Sequence, residues 1–441
     1  MRRFLETLVA ALALAWLCGC INNESIGQVK DLRILAIRTN PPGALYPFLH
    51  TLPSGQRPPL PLGPYTFTVE ALVVDPKGRE VEVSYRLCPE NSDDACPGYR
   101  LRQTAPPAQI QALSPLVQHR LLRGRADLYR GGEVDLRPSS YTFNAAAMDY
   151  LIPHDVNGRV SPLALLNPSL PSVVVRARTV NNEQEEIAFH RFMLEADLRS
   201  PTPQFDALID GQLRPMLGVG RCSAEQEAEA ELAWQVQQGG VDAGPEPPRM
   251  PQCVRQRQAH RGVHLERLLY ATADQGLFGG GGGGGGGGFG DDDEPSVRKQ
   301  MEDDPTSAGE FLDVSGVIRA QPGQSLRLRA VVSSADHQHY QRFNTNSVTG
   351  RISISDHDED MAFSWFTTAG QISSTTSEQS GNADARYQVS PDTPPGPAFV
   401  WVVVRDQRGG VDWARIDFDV REQPGGSGGG GPGGLFGGAA R

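Results

Sequence analysis

Six consecutive apolar residues, Phe399-Val400-Trp401-Val402-Val403-Val404, lie near the carboxyl end of this 441-residue chain. Successive side chains of a β-strand point to opposite faces of the sheet, so a strand formed here is hydrophobic on both faces. The β-branched and aromatic residues favour a strand over a helix. We therefore predict that this segment is a central strand.

The segments around this strand predict an antiparallel sandwich over residues 314–421. Arg405-Asp406-Gln407-Arg408-Gly409-Gly410 has the composition of a turn, and a last strand follows it. Apolar and polar residues alternate in the last strand and in two earlier segments, as in half-buried strands. The apolar positions are Ile416, Phe418 and Val420 in the last strand, and Leu326, Leu328, Ala330, Val332, Met361, Phe363 and Trp365 in the earlier segments.

The alternating apolar residues and turn sequences of residues 29–198 predict a first sandwich with irregular insertions. Apolar residues alternate from Phe67 to Val73, and a turn follows at Asp75-Pro76-Lys77-Gly78, where proline and glycine occupy the positions that a tight turn favours. A return strand is predicted from Val81 to Leu87. A later hairpin is predicted from residues 173–180 and 187–194, joined by Asn181-Asn182-Glu183-Gln184.

Residues 199–275 predict a small helical insert. Ser223 and Gln226 have the spacing of a capping box, so a helix should begin there and end near Gly239-Gly240. A second helix is predicted from about His260 to Ala273, because a helix would place Leu265, Leu268 and Leu269 on one face.

Two segments are predicted to be disordered because they are rich in glycine, which loses the most conformational entropy on ordering. The first is a linker over residues 276–313, which contains ten consecutive glycines at Gly279–Gly288 and the acidic run Asp291–Glu294. The second is a tail over residues 422–441.

The amino terminus predicts a membrane anchor. Arg2 and Arg3 precede an apolar run from Leu8 to Leu17, which has the length of a signal peptide and is shorter than the ~20 residues that span a bilayer. Leu17-Cys18-Gly19-Cys20 resembles the bacterial lipobox. The resemblance implies a signal peptide over residues 1–19, acyl chains on Cys20 and a tether over residues 20–28. Ile21 after the cysteine points to the outer membrane. The alternative is an ordinary secretory signal.

The remaining cysteines predict an oxidising compartment. Cys88, Cys96, Cys222 and Cys253 allow three disulfide connectivities, of which Cys88–Cys96 and Cys222–Cys253 close the shortest loops. The spacing is not that of a four-cysteine zinc site. The net charge of −11, without a basic cluster among aromatic residues, argues against a nucleic-acid partner. We expect no cofactor.

Three segments of the second sandwich resemble immunoglobulin-like domains of the PKD kind: Pro322-Gly323-Gln324, Phe363-Ser364-Trp365 and Val402–Gly410. Asp75–Gly78, followed by Tyr85 and Cys88, is similar in the first. The whole chain looks like lipoproteins found in myxobacteria and their relatives. The resemblance implies two immunoglobulin-like sandwiches and an envelope location, and it transfers no catalytic residues.

Two polar segments are candidate metal sites. Asp356, Asp358 and Asp360 offer carboxylates at the close spacing that Ca²⁺ prefers, but the segment lacks the glycine and distant glutamate of an EF-hand. A solvated acidic loop is the favoured interpretation. His337 and His339 offer two ligands without a third, and the favoured interpretation is a polar loop.

Trp413 and Arg415 are candidate ligand contacts. Strict alternation places both on the face opposite Ile416, Phe418 and Val420, where a tryptophan stacks on a sugar or packs against a partner. The alternative is a bulge after Gly409-Gly410 that turns Trp413 inward.

These observations predict a mainly β, non-enzymatic envelope lipoprotein that binds an envelope protein or glycan, or acts as a scaffold. Gly425-Gly426-Ser427-Gly428-Gly429 matches a nucleophile motif, but it lies in the glycine-rich tail without the strand and helix that the motif requires. Two alternatives stay open: a carbohydrate-active enzyme or glycan-binding module, and a subunit of a secretion or motility assembly.

Overall fold

The computed structural model describes residues 27–47, 65–88, 120–126, 132–143, 170–191, 193–197, 214, 218–220, 222–237, 250–255, 260–272, 311–346, 351–372, 376–379 and 382–421. Within these ranges the chain is mainly β, and its sheets are predominantly antiparallel. The predicted mainly β, immunoglobulin-like class is confirmed.

The amino-terminal half supplies two sheets and a short parallel pair. One sheet has the order β1-β3-β6, the other has the order β5-β4-β7-β8, and β2 pairs in parallel with β9. These strands are β1 (Arg33–Asn40), β2 (Gly43–Pro47), β3 (Tyr65–Val74), β4 (Glu80–Cys88), β5 (Arg120–Arg125), β6 (Ser139–Phe143), β7 (Ser172–Thr179), β8 (Glu185–Arg191) and β9 (Met193–Asp197).

The predicted turn at Asp75–Gly78 is present, but it joins two sheets rather than two paired strands. Gly78 has a φ of 64°, and its N–H donates to the carbonyl of Asp75 at 3.0 Å. β3 and β4 then lie in different sheets, so the chain turns a corner of the sandwich here. The predicted hairpin between β7 and β8 is confirmed, with Asn182 at a φ of 58° in its turn.

The carboxyl-terminal half contains a second sandwich. Its sheets have the orders β11-β10-β13-β19-β17 and β12-β21-β20-β16-β18, and β14 and β15 form a separate hairpin. The strands are β10 (Leu265–Thr272), β11 (Leu312–Asp313), β12 (Ile318–Ala320), β13 (Ser325–Val332), β14 (His339–Thr345), β15 (Ile352–Asp358), β16 (Met361–Thr367), β17 (Gln371–Ile372), β18 (Thr376–Gln379), β19 (Asn382–Gln388), β20 (Gly396–Arg405) and β21 (Val411–Val420).

The prediction of a helix from His260 to Ala273 is wrong, because this segment contains strand β10. β10 pairs antiparallel with β13, and also with β11 at Leu269↔Asp313 and Tyr270↔Leu312. Cross-strand pairing therefore overrides the helical spacing of the leucines. β10, before the predicted glycine-rich linker, and β11, at its carboxyl end, therefore belong to one sheet.

The other predicted helix is confirmed as α1 (Ala224–Gln237). Its capping box is formed: the N–H of Gln226 donates to Oγ of Ser223 at 3.2 Å, and the N–H of Ser223 donates to Oε1 of Gln226 at 2.9 Å. The predicted Cys222–Cys253 disulfide holds the start of α1. Cys88 is also disulfide-bonded, and Cys96 lies outside the described residues.

The central strand β20 is buried on both faces, as predicted. Val400, Val402 and Val404 belong to the core between the two sheets of the second sandwich. Trp401 and Val403 point the other way, against the β1-β3-β6 sheet of the first sandwich. Both sandwiches therefore stack as four β-layers. The core of the contact between them consists of Val29, Leu35, Ala36, Leu72, Val74, Trp401, Val403 and Val411.

Replacing Trp401→Ala is expected to destabilise the protein by about 3–5 kcal/mol, because it leaves a cavity between the sandwiches. The same change removes the hydrogen bond from Nε1 to Oε1 of Glu133, at 2.7 Å. Urea unfolding measures the effect. The control Leu121→Ala, at a side chain 52% exposed, should change stability by less than about 0.5 kcal/mol. Equal effects of the two changes would show that the contact contributes little.

Candidate functional site

Five buried charged side chains meet where the turns of the second sandwich approach the first. Glu359 lies between β15 and β16, Asp406 and Arg408 lie between β20 and β21, and His260 precedes β10. Glu195 comes from β9 of the first sandwich. None of the five is more than 9% exposed. We call them the buried junction.

The β20–β21 turn fixes the orientation of the Asp406 carboxylate. Its Oδ1 accepts hydrogen bonds from the N–H groups of Arg408, at 2.8 Å, and Gly410, at 2.7 Å. A side chain at position 410 would collide with Oδ2 of Asp406, so glycine is required there. Oδ2 therefore faces Nε2 of His260, at 3.0 Å.

The other ring nitrogen of His260 also faces acceptors. Nδ1 lies 3.1 Å from Oε1 of Gln338 and 3.4 Å from Oε1 of Glu359. Burial lowers the pKa of His260, but the nearby Asp406 carboxylate outweighs burial, so the pKa is raised overall. The surroundings of this ring thus favour a positive charge.

Arg408 connects the junction to the first sandwich. Its Nη1 donates to Oε1 of Glu359 and its Nη2 to Oε2 of Glu195, each at 3.0 Å. The guanidinium also lies over the ring of Tyr340, 5.2 Å from its centre. Burial raises the pKa of Glu359 to about 7, against the opposing charges of His260 and Arg408. Because these groups are shielded from water, the arrangement suits holding a charge rather than turning over a large substrate.

A second buried histidine lies near the junction. Nε2 of His190 is 3.3 Å from Oγ1 of Thr39. Burial lowers the pKa of His190 to about 4, and the charge of Arg405 acts in the same direction. His190 is therefore neutral near pH 7.

An open groove of about 710 Å³ lies on another side of the contact between the sandwiches. Its lining is largely apolar, and Val317 in it is 53% exposed. Short edge strand β12 forms one wall and the Asp75–Gly78 turn forms another. Other lining residues are Lys77, Arg319, Pro397, Phe399, Phe418 and Arg421. We call this the apolar groove.

Trp413 and Arg415 lie on the predicted face, and that face meets the first sandwich. Trp413 packs beside the core of the contact, with the Arg38 guanidinium 4.4 Å from its ring centre. Arg415 forms ion pairs with Asp417, at 2.6 Å, and Glu133, at 3.4 Å. The predicted alternation is therefore present, without a bulge that turns Trp413 into the core. Their role as ligand contacts stays a prediction.

The acidic segment is mostly strand rather than loop. Asp356 and Asp358 lie on β15 and not in a loop, because they pair with Gln341 and His339 of β14. Nδ1 of His339 is 2.8 Å from Oδ1 of Asp358.

The remaining members of these candidate sites have other partners. Arg255 contacts Asp356, and Gln407 donates to Asp360 at 2.9 Å. Nδ1 of His337 is 3.3 Å from the carbonyl oxygen of Glu359. Cys20 lies outside the described residues.

No local sequence pattern predicts the buried junction. Its members are separated by up to 213 positions, from Glu195 to Arg408, so no local spacing brings them together. The available signal was the pair of charged residues, Asp406 and Arg408, in a turn that directly follows a strand apolar on both faces.

No protein-family model and no curated protein sequence matches this chain. Among solved structures, red sea bream transglutaminase aligns at 8% identity over 90% of this chain and 32% of its own, with a TM-score of 0.18. Dimeric latent PorU from Porphyromonas gingivalis aligns at 9% identity over 89% and 24%, with a TM-score of 0.15. Escherichia coli alpha-2-macroglobulin activated by porcine elastase aligns at 9% identity over 89% and 44%, with a TM-score of 0.18. The chain spans less than half of each of these proteins, and TM-scores this low assign no function.

Acidification is expected to destabilise the protein through His190. The pKa of His190 is about 4 in the fold and near 6.5 in the unfolded chain, so its contribution is complete above pH 6.5 and is lost as the pH falls toward 4. The loss should be on the order of 3 kcal/mol. Unfolding of the wild type and His190→Leu between pH 4 and about 7 measures it. Parallel curves would contradict the assignment, and His264→Leu, at an exposed histidine, is the control.

Proposed function

We propose that this chain is a bacterial envelope lipoprotein, anchored through Cys20, that binds a partner protein or acts as a scaffold without catalysing a reaction. The support for the anchor is the apolar run that ends in Leu17-Cys18-Gly19-Cys20. Several acyl chains hold a protein at a membrane far more durably than one chain does. The outer membrane is the proposed location, on the basis of Ile21.

In the described part of the chain, no helix has the length and apolar character needed to cross a bilayer.

The anchor would hold both sandwiches near the membrane. Gly27 lies seven positions after Cys20, and a chain of seven residue steps reaches at most ~25 Å. The carbonyl of Gly27 accepts a hydrogen bond from the N–H of Thr367 in the second sandwich, at 2.7 Å. The N–H of Val29 donates to the carbonyl of Thr367, also at 2.7 Å. The first described residues, which precede β1 of the first sandwich, are thus paired with β16 of the second.

The observation that carries the binding role is the apolar groove. A groove of about 710 Å³ between two tightly joined sandwiches offers a preformed surface with exposed apolar side chains. Strand β12 beside it pairs with β21 on one side only, among the described strands. An edge strand next to apolar positions suits an extended peptide, which adds main-chain hydrogen bonds to side-chain contacts.

The proposed occupant is therefore an extended, apolar segment of another envelope protein. The lining cations Lys77, Arg319 and Arg421 are accompanied by Asp417 and Asp419, so the groove has no strong excess of either charge. This balance favours a partner segment of low net charge. A glycan is less favoured at Trp413, because the Arg38 guanidinium already lies over that ring.

Replacing Cys20→Ser is expected to remove the anchor. The wild type should sediment with membranes, and mass spectrometry should find an acylated amino terminus at Cys20. The variant should be unacylated and should leave the membrane fraction. Cys18→Ser is the matched control and should stay acylated. An unprocessed amino terminus in wild-type cytosol would overturn the proposed location.

A photo-crosslinking residue at position 317 is expected to capture one partner in intact envelopes. Val317 is 53% exposed, so the fold should tolerate the change. The matched control is position 121, because Leu121 is 52% exposed and does not line the groove. A second variant, Pro397→Asp, should abolish the adduct by placing a charge in the groove. Equal crosslinking from positions 317 and 121, or none from either, would count against the groove as a binding site.

A further inference from the structure

Three fully buried atoms of the junction lack a hydrogen-bond partner: Nε2 of His260, Oδ2 of Asp406 and Nε of Arg408. Nε2 of His260 and Oδ2 of Asp406 lie 3.0 Å apart, at ion-pair distance, without the angles of a hydrogen bond. Buried polar atoms are nearly always satisfied, so such a pair requires an explanation. A positive charge between the two atoms provides one.

Hydrogen bonds to the other polar atom of each side chain hold Oδ2 of Asp406 and Nε2 of His260 in position. Oδ1 of Asp406 accepts two backbone hydrogen bonds from its own turn, which leaves Oδ2 pointing at the ring. Nδ1 of His260 is placed to donate to Oε1 of Gln338, at 3.1 Å, which assigns the lone pair of the neutral ring to Nε2. Metal-binding histidines and carboxylates are typically oriented by outer partners of this kind.

Glu359 supplies a third ligand atom. One such atom from each of His260, Glu359 and Asp406 lies within 4.8 Å of the other two. One imidazole nitrogen and two carboxylate oxygens are ligands that Zn²⁺ accepts. Ca²⁺ takes six to eight oxygen ligands, so this donor set favours a transition metal over calcium.

The net charge of the junction also favours the binding of a divalent cation. Within the junction, the three carboxylates Glu195, Glu359 and Asp406 are opposed by Arg408 and by the positive charge that the surroundings of His260 favour on its ring. A metal ion on Nε2 would replace that ring proton, and the carboxylates would then exceed Arg408 by two negative charges. Buried charges are costly unless they are balanced. A divalent ion balances this excess.

We propose that His260, Asp406 and Glu359 bind one divalent transition-metal ion of the Zn²⁺ class. The ion joins the β15–β16 turn, the β20–β21 turn and the segment before β10 at one point. Arg408 stays in place as the outer partner of Glu359 and links the site to Glu195 in the first sandwich. The site is structural, because its ligands are shielded from solvent.

Metal titration of the full-length protein, purified in detergent without a histidine tag, tests this proposal. After removal of metals by a chelator, Co²⁺ should bind at one ion per chain with the visible absorption of a protein-bound ion. Zn²⁺ should displace it. Zn²⁺ should also raise the melting temperature of the stripped protein, because an ion that binds only the folded state stabilises it.

Variants locate the site. His260→Gln and Asp406→Asn should lower Co²⁺ affinity more than ~100-fold, and Gln338→Leu, at the outer partner, by ~10–100-fold. His264→Gln and Asp358→Asn are the controls and should bind as the wild type does. His264 is solvent-exposed, and Asp358 belongs to the exposed acidic strand.

The titration of the wild type tests the proposed metal site even if a variant fails to fold. No Co²⁺ bound at micromolar concentrations would overturn the proposal, and protons would then balance the junction. Undiminished binding by folded His260→Gln, or loss of binding by either control, would place the metal elsewhere and would also overturn it.

Discussion

The structure depends on the need of strand β20 to bury both of its faces. One face completes the core of the second sandwich with Val400, Val402 and Val404, and the other presents Trp401 and Val403. Apolar surface left in water costs about 25 cal/mol for each Å². The first sandwich covers the second face with its β1-β3-β6 sheet. The stability of each half therefore depends on the other, because neither half buries its own apolar surface alone.

Polar contacts around this apolar core determine how the two halves are oriented. Arg38 pairs with Asp412 across the contact at 2.6 Å, and Arg405 donates to the carbonyl of Leu35 at 2.7 Å. At one end, Arg408 reaches Glu195. Breaking a buried ion pair leaves an uncompensated charge, so other arrangements of the same apolar faces are disfavoured. The hydrophobic core supplies attraction, and the charged groups supply the specific geometry.

The alternation of apolar residues predicted strands β3, β4, β13, β16 and β21, because period-two burial is local. It also predicted that β20 is apolar on both faces, and the capping box predicted α1. It did not predict what covers the second face of β20, since the covering residues lie more than 300 positions away. The leucines from Leu265 to Leu269 fit a helix and a strand equally, and only pairing with β13 decides between them. The buried junction was missed for the same reason, because it forms where distant turns converge.

The pairing of β10 with β11 shows which parts of the structure the glycine run between them connects. The described residues before the run end in β10 and those after it resume at β11, and the two strands pair at Tyr270↔Leu312. The run therefore connects two neighbouring strands of one sheet and does not separate the two halves of the molecule. The entropic cost of closing a loop rises only with the logarithm of the loop's length, by ~0.6 kcal/mol for each doubling. Evolution can lengthen or shorten this repeat at little energetic cost, while the four stacked layers keep their positions.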